Sequence, residues 1–158
     1  MGGERADPTG SGKPWPLAQR FTVTYHDVDA LNHLNHATYF PWMETLRCAY
    51  YMPLLGVTDP RELDIILAEA VCRYSAPAGY GTEMVGEVVP ALPVGRSSFS
   101  LLYRFHAPDE PRHVYGRGRT VVVCYDYAKG EKKPIDPRIR ERLERDGVPL
   151  ESEGWTPR

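Results

Sequence analysis

Cysteine is scarce in this chain of 158 residues, and the three present, Cys48, Cys72 and Cys124, lie in apolar segments with no C-x-x-C spacing. A disulfide framework is therefore not expected, and the thiols read as buried groups of a reducing compartment. An excess of charge is missing too, because 19 Lys and Arg against 21 Asp and Glu leave a net charge of -2. That balance gives no electrostatic basis for a nucleic-acid or anionic-membrane partner. The opening stretch MGGERADPTGSGKPWP lacks a basic start followed by an apolar run, so neither a signal peptide nor a membrane anchor is expected there. Ala6 also breaks the myristoylation pattern. Such Gly, Pro and Ser content does not build a core, and residues 1–16 are expected to form a mobile tail. The default address is the cytoplasm. Internal repeats are absent, and no low-complexity tract follows the tail.

What remains is the length of one domain, expected over residues 17–148 with a second tail at 149–158. In RFTVTYHD, Phe21, Val23 and Tyr25 alternate with Thr22 and Thr24 as in a half-buried strand. The segment HATYFPWMETLRCAYYMPLLG then reads as a helix starting close to Ala37, because Pro41 is tolerable only in the first turn. Pro53 and Gly56 are expected to end it. Tyr39, Phe40, Trp42, Met43, Leu46, Cys48, Ala49, Tyr50 and Met52 cover more than one stripe of this helix, so protein should surround most of it. Four strand-like segments follow: LDIILAEAVCRYSAP, GTEMVGEVVPAL, VGRSSFSLLYRFHA and HVYGRGRTVVVCYDY. Phe99, Leu101, Tyr103 and Phe105 share one face of the third. In the fourth, Gly116 and Gly118 share a face with Thr120, Val122 and Cys124, which would let a helix backbone come close. PRIRERLERDG reads as a short, charged, peripheral helix.

Between the first strand and the buried helix lies HDVDALNHLNHATYF, residues 26 to 40, which places two aspartates, three histidines and two asparagines before the most apolar helix. Ordinary loops rarely concentrate so many groups able to ionise, bind a metal or relay a proton. His33 and His36 straddle a loop-to-helix junction and no second cluster completes a ligand set, so no metal site is expected. No cofactor is implied.

The order strand, buried helix, four strands describes an α+β architecture, an antiparallel sheet curled around one central helix. With the D-x-D-x-x-x-H-x-N-H-x-x-Y run from Asp27 to Tyr39, RYSAPAGYGTEM, the GRSS turn at Gly95 to Ser98 and GRGRTVVVCYD, the chain resembles the hotdog-fold acyl-CoA thioesterases of the 4-hydroxybenzoyl-CoA thioesterase family. The resemblance covers roughly residues 20 to 145. Two positions depart from it. Asn32 stands where glycine is frequent, and Asn tolerates a left-handed backbone best among the other residues. Thr82 replaces the usual acid after Gly81, which bears on where a strand starts rather than on chemistry.

The resemblance implies thioester hydrolysis with Asp29 as the catalytic carboxylate and the N–H of His36 as donor to the thioester oxygen. Helix-start N–H groups lack intrahelical partners, and the positive end of the helix dipole lies there. Residue by residue the alternative stays open that Asp29 is a loop acid capping its own turn. Asp27 is expected to have a structural or solvent role. His33 and Asn35 could orient the loop or contact substrate, and Tyr39 reads as core with its hydroxyl bonded locally. Glu69, amid apolar neighbours, is the alternative acid; strand parity groups it with Leu67, Val71 and Arg73, facing away from the helix. Arg73, Arg96 with Ser97 and Ser98, Arg117 and Arg119 are the candidates to hold the phosphates of an acyl-CoA substrate, with the GRSS turn preferred, although an ordinary turn would look the same. A homodimer or homotetramer is expected. A hotdog hydratase or dehydratase and a non-catalytic acyl-thioester-binding module remain as alternatives.

Overall fold

The computed structural model describes residues 14–155. Strand β1, Leu17–Thr22, leads through the polar loop to helix α1, Tyr39–Leu55, and then to strands β2, Ile65–Tyr74, β3, Glu83–Leu92, β4, Ser98–His106, and β5, Val114–Asp126. A short strand β6, Glu131–Lys132, helix α2, Pro137–Asp146, and strand β7, Val148–Pro149, complete the described chain. The sheet runs in the order β1-β3-β4-β5-β2 and every neighbour on this path is antiparallel. It curls around α1, which is the hotdog architecture the resemblance implied.

Inward-facing residues of the sheet and residues of α1 make one core, in which Phe99, Leu101, Tyr103, Phe105, Val122 and Cys124 meet Tyr39, Met43, Leu46, Tyr50 and Tyr51. Only Pro41, Glu44, Thr45 and Pro53 of α1 are exposed, so the wide apolar surface of this helix is covered on most sides. The close approach expected at the strand glycines is present. A methyl group at Gly116 would lie 2.9 Å from Cε1 of Tyr39, and one at Gly118 would run into Sδ of Met43.

Three expectations change. A 3-10 turn over His36–Thr38 precedes α1, and the α-helix continues past Pro53 to Leu55, with Gly56 at φ 72° as its end. Pro53 sits in the last turn, where its missing N–H costs one bond without breaking the helix. Strand β2 contains a β-bulge between Leu67 and Glu69. Paired residues share a face, so Leu67, opposite Val122, lies on the helix side, and Glu69, opposite Val121, lies on the outer side. The extra residue at the bulge therefore separates two residues that uninterrupted parity puts together. Finally, α2 is anchored rather than merely peripheral, because Ile139 and Leu143 enter the core.

The expected tails reach beyond the described residues at either end, but Trp15, Leu150 and Trp155 are buried and form a second apolar cluster with Val89, Ala91, Leu102 and Val148 on the outer side of the sheet. Cys124 is buried, Cys48 and Cys72 are half-buried, and all three are free. No helix among the described residues is long and apolar enough to cross a membrane.

Candidate active site

The polar loop is a tightly bonded unit. Asp29 closes it twice, since its N–H donates to the His33 carbonyl at 2.8 Å while its Oδ1 accepts from the N–H groups of Leu31 at 2.8 Å and His33 at 3.0 Å. The bridge between Val28 and Leu34 and the left-handed Asn32, at φ 58°, let the chain reverse here. The His33 and Leu31 N–H groups hold the Asp29 carboxyl below its ordinary pKa. Asp29 is thus an ionised, exposed carboxylate at neutral pH, and it also caps its own turn. Both readings of the residue are compatible with that geometry.

Asp27 has a structural role, one of the two expected of it. Its Oδ2 accepts from the N–H of Thr24 at 2.7 Å and the Thr24 hydroxyl at 2.6 Å, a capping box that pins the entry to the loop. Its carbonyl accepts from the Asn35 N–H at 2.7 Å, which holds the acid-bearing turn beside the start of the helix. The Asn35 side chain caps that start by accepting from the Ala37 N–H at 2.9 Å. The N–H between them, that of His36, has no acceptor among the described residues. An unfilled donor at this point is what an oxyanion site requires.

Beside it lies an open cavity of about 300 Å³ lined by Leu34, His36, Tyr39, Tyr74 and residues 75–78. The segment after β2 is held against the loop by the Leu34 N–H, which donates to the Ala78 carbonyl at 2.7 Å, and by the Tyr80 N–H, which donates to Oδ1 of Asn32 at 3.2 Å. Thr82 fits this join without an acid, because its Oγ1 accepts from the Gly79 N–H at 3.2 Å and β3 begins at the next residue. Tyr74 is not among the candidates read from the sequence. Its hydroxyl donates to the His36 carbonyl at 3.1 Å and its ring meets the His36 imidazole edge-on. Strand parity puts it on the helix face of β2, which was the available signal. Tyr39 is 3% exposed and its ring packs against Phe105, Trp42 and Tyr74, as core. Its hydroxyl, expected to bond locally, has no partner among the described residues and borders the cavity. Burial pushes its pKa upward, so it stays protonated.

Other candidates stand apart. Glu69 forms an ion pair with Arg119 on the outer face of the sheet, away from α1. The GRSS turn opens β4, where Ser98 pairs with Val123, whereas Phe105 and Gly116 mark the end of the sheet near Tyr39. Within one chain Arg96, Ser97 and Ser98 are therefore separated from the cavity by roughly 23 Å of strand. Arg140 of α2 binds this turn through the carbonyls of Gly95, at 2.5 Å, and Arg96, at 3.3 Å. Among the described residues no group of three His, Cys, Asp or Glu side chains is gathered as a metal site needs.

Residues 23–143, most of the chain, match the sequence profile of the thioesterase-like superfamily. The chain belongs to this superfamily. Solved structures similar to this superfamily member include a thioesterase from Thermus thermophilus complexed with coenzyme A and Zn, at 26% identity and TM-score 0.69, covering 82% of this chain and 98% of that one. A predicted thioesterase from Bacillus stearothermophilus matches at 19% identity and TM-score 0.75, covering 84% and 96%. A gentisyl-coenzyme A thioesterase matches at 21% identity and TM-score 0.66, covering 80% and 99%. No curated protein matches the chain. The matched range of the thioesterase-like superfamily takes in the loop, α1 and all four long strands, and so the whole of the candidate site.

Proposed function

We propose that the protein hydrolyses an acyl-CoA thioester to a free carboxylic acid and CoA, as a cytoplasmic enzyme of the 4-hydroxybenzoyl-CoA thioesterase type. The observation that supports this most is the unfilled His36 N–H at the start of α1, opening beside a cavity in a thioesterase-like superfamily chain. In this reading the thioester oxygen accepts from the His36 N–H as negative charge develops on it, with the helix dipole adding to the stabilisation. Asp29 attacks the carbonyl carbon or takes a proton from the attacking water. Its low pKa keeps it ionised and makes it a weak base, so proximity to the carbonyl has to supply much of the rate. Arg96, Ser97 and Ser98 would meet the CoA phosphates of a substrate bound across a subunit boundary, since one chain separates them from the cavity.

The second copy adds at β2. This is an edge strand with apolar surface exposed on both faces, Leu67 at 50% and Tyr74 at 49% on the helix side and Ile66 at 36% on the outer side, which an antiparallel copy alongside would help to cover. We therefore expect a symmetric homodimer, alone or paired into a homotetramer, with the site at the interface. A monodisperse and fully active monomer in light scattering at dilute concentration would overturn this assembly.

Release of free thiol from a panel of acyl-CoAs is the test of the function. Asp29→Asn should lower kcat by about 10²-fold to 10⁴-fold with KM little changed, while Asp27→Asn and Glu69→Gln keep most of the activity. One observation favours a second reading, a binding module without turnover: Asp29 already spends Oδ1 on its own loop. Saturable acyl-CoA binding with no thiol release would decide for that module, and consumption of enoyl thioesters alone would decide for a hydratase.

A further inference from the structure

Of the residues that line the cavity beside His36, Tyr39 is the least exposed and the one that belongs to the central helix. Behind Tyr39 the inner face of β5 carries Gly116 and Gly118, so a channel free of β5 side chains, bordered at Gly118 by Tyr103 of β4, runs between α1 and β5. Helix α1 fills it twice, with the Tyr39 ring against Gly116 and the Met43 side chain against Gly118. The Tyr39 ring is held from the other sides by Phe105, with ring centroids 5.2 Å apart, Tyr74 at 5.4 Å and Trp42 at 5.9 Å. It cannot swing inward without displacing core residues. A cavity of about 300 Å³ is at the lower end of small-molecule sites, which run from about 300 to 1,000 Å³.

We propose that Tyr39 is the residue that sets the length of the acyl group, confining the substrate to short or single-ring acyl chains and excluding long ones. The proposal rests on the thioesterase reading of the same site. An acyl group whose carbonyl sits at the His36 N–H points into the cavity and meets the Tyr39 ring. Every methylene beyond the one that touches the ring must push into packed core or turn back toward water. One methylene too many in an apolar pocket lowers kcat/KM by about tenfold or more. The two glycines add a testable asymmetry. Shrinking residue 39 opens the start of the Gly116–Gly118 channel, whereas a methyl group on Gly116 drives the ring toward the cavity.

The experiment is a series of straight-chain acyl-CoAs from acetyl to palmitoyl, followed by thiol release and, in parallel, by calorimetric binding. The wild type should favour the short members and fall by at least about tenfold in kcat/KM over the first methylenes that exceed the cavity. Tyr39→Ala should move the optimum to longer chains, and Gly116→Ala should move it to shorter ones. Met43→Ala removes a comparable core side chain behind the intact Tyr39 wall, so the optimum should stay in place. If Tyr39→Ala fails to fold, Tyr39→Leu and Gly116→Ala still give opposite shifts. A wild type equally active on palmitoyl-CoA, or an unchanged optimum in both residue-39 and residue-116 variants, overturns the proposal. Absence of thiol release from every acyl-CoA overturns hydrolysis instead, and the length limit is then read from the affinities alone.

Discussion

On its inner face the sheet meets Tyr39, Met43, Leu46 and Tyr50 of α1, with Ile139 and Leu143 of α2 in the same core, while on its outer face the same strands meet Trp15 and Trp155, which arrive from opposite ends of the described chain. The inner contacts are mostly apolar and repeat with the turn of α1, the buried Arg47 beside Tyr103 being the charged exception. The outer ones are mixed. Val89 and Leu102 alternate there with Glu87, Arg104 and Arg119, which are buried to 8%, 2% and 7% exposure. Arg104 pairs with Glu87, His106 Nε2 lies 3.3 Å from the same carboxylate, and the Arg104 guanidinium lies 4.5 Å above the Trp15 ring. A helix covers this sheet mainly with hydrocarbon and a single buried cation, Arg47. A pair of terminal segments covers it only where the charges beneath them are matched.

The largest expected effect comes from breaking that match. Glu87→Ala leaves Arg104 and His106 buried opposite no carboxylate and should lower stability by about 3–5 kcal/mol in urea unfolding. Replacing Glu87 and Arg104 together with Leu and Met should restore most of the loss, since no charge is then stranded. A Glu87→Ala variant as stable as the wild type would mean that the outer face is wet. The same carboxylate gives a pH signature. Burial alone would raise its pKa, and His106 and Arg104 outweigh that to hold it below its ordinary value. A depressed carboxylate contributes stability that is complete above its unfolded pKa of about 4.3 and disappears as pH falls through the lower folded value. Glu87→Ala should flatten that acid limb.

The contrast between faces also explains what could be read from the sequence. Gly116 and Gly118 announce a close helix because a strand has few other reasons to lack side chains at alternate positions. Asn32 stands where the resembled family often has glycine and is the non-glycine residue type that best tolerates a left-handed backbone, and φ 58° agrees. The bulge in β2 leaves no such mark, because it exists only in the pairing of Leu67 and Glu69 with Val122 and Val121. Trp15 and Trp155 fall in the expected tails, since a single tryptophan among Gly, Pro and charged residues has no period to betray its partner. Within the site, a structural part for Asp27 was among the expectations, but its capping box with Thr24 was not. Nor was the double engagement of Asp29, because the same acid in the same loop serves a cap or a reaction equally well.

A middle-sized effect tests the inner face. Gly118→Ala places a methyl group where Sδ of the fully buried Met43 now lies, and overpacking of this kind costs about 1–3 kcal/mol. Adding Met43→Val should recover part of the loss, because it removes the atom in the way and couples the two positions. If the two single losses simply add, the helix does not rest on Gly118.

The smallest effect concerns the C-terminal cover. The Arg73 guanidinium lies 4.0 Å from the centre of the Trp155 ring, Arg119 lies 5.5 Å from it, and Arg73 also donates to the Gly154 carbonyl at 2.8 Å. Trp155→Leu keeps apolar cover but removes the π face that the two cations share, for an expected loss of about 0.5–2 kcal/mol. Trp155→Phe retains a weaker π face and should lose less. The order of the two urea midpoints is the informative quantity, provided the m-value is unchanged. Equal losses would assign the tryptophan to apolar burial alone and make the outer face resemble the inner one. Leu below Phe would show that the outer cover is held by cations on aromatic rings, a contact that α1 does not make among the described residues.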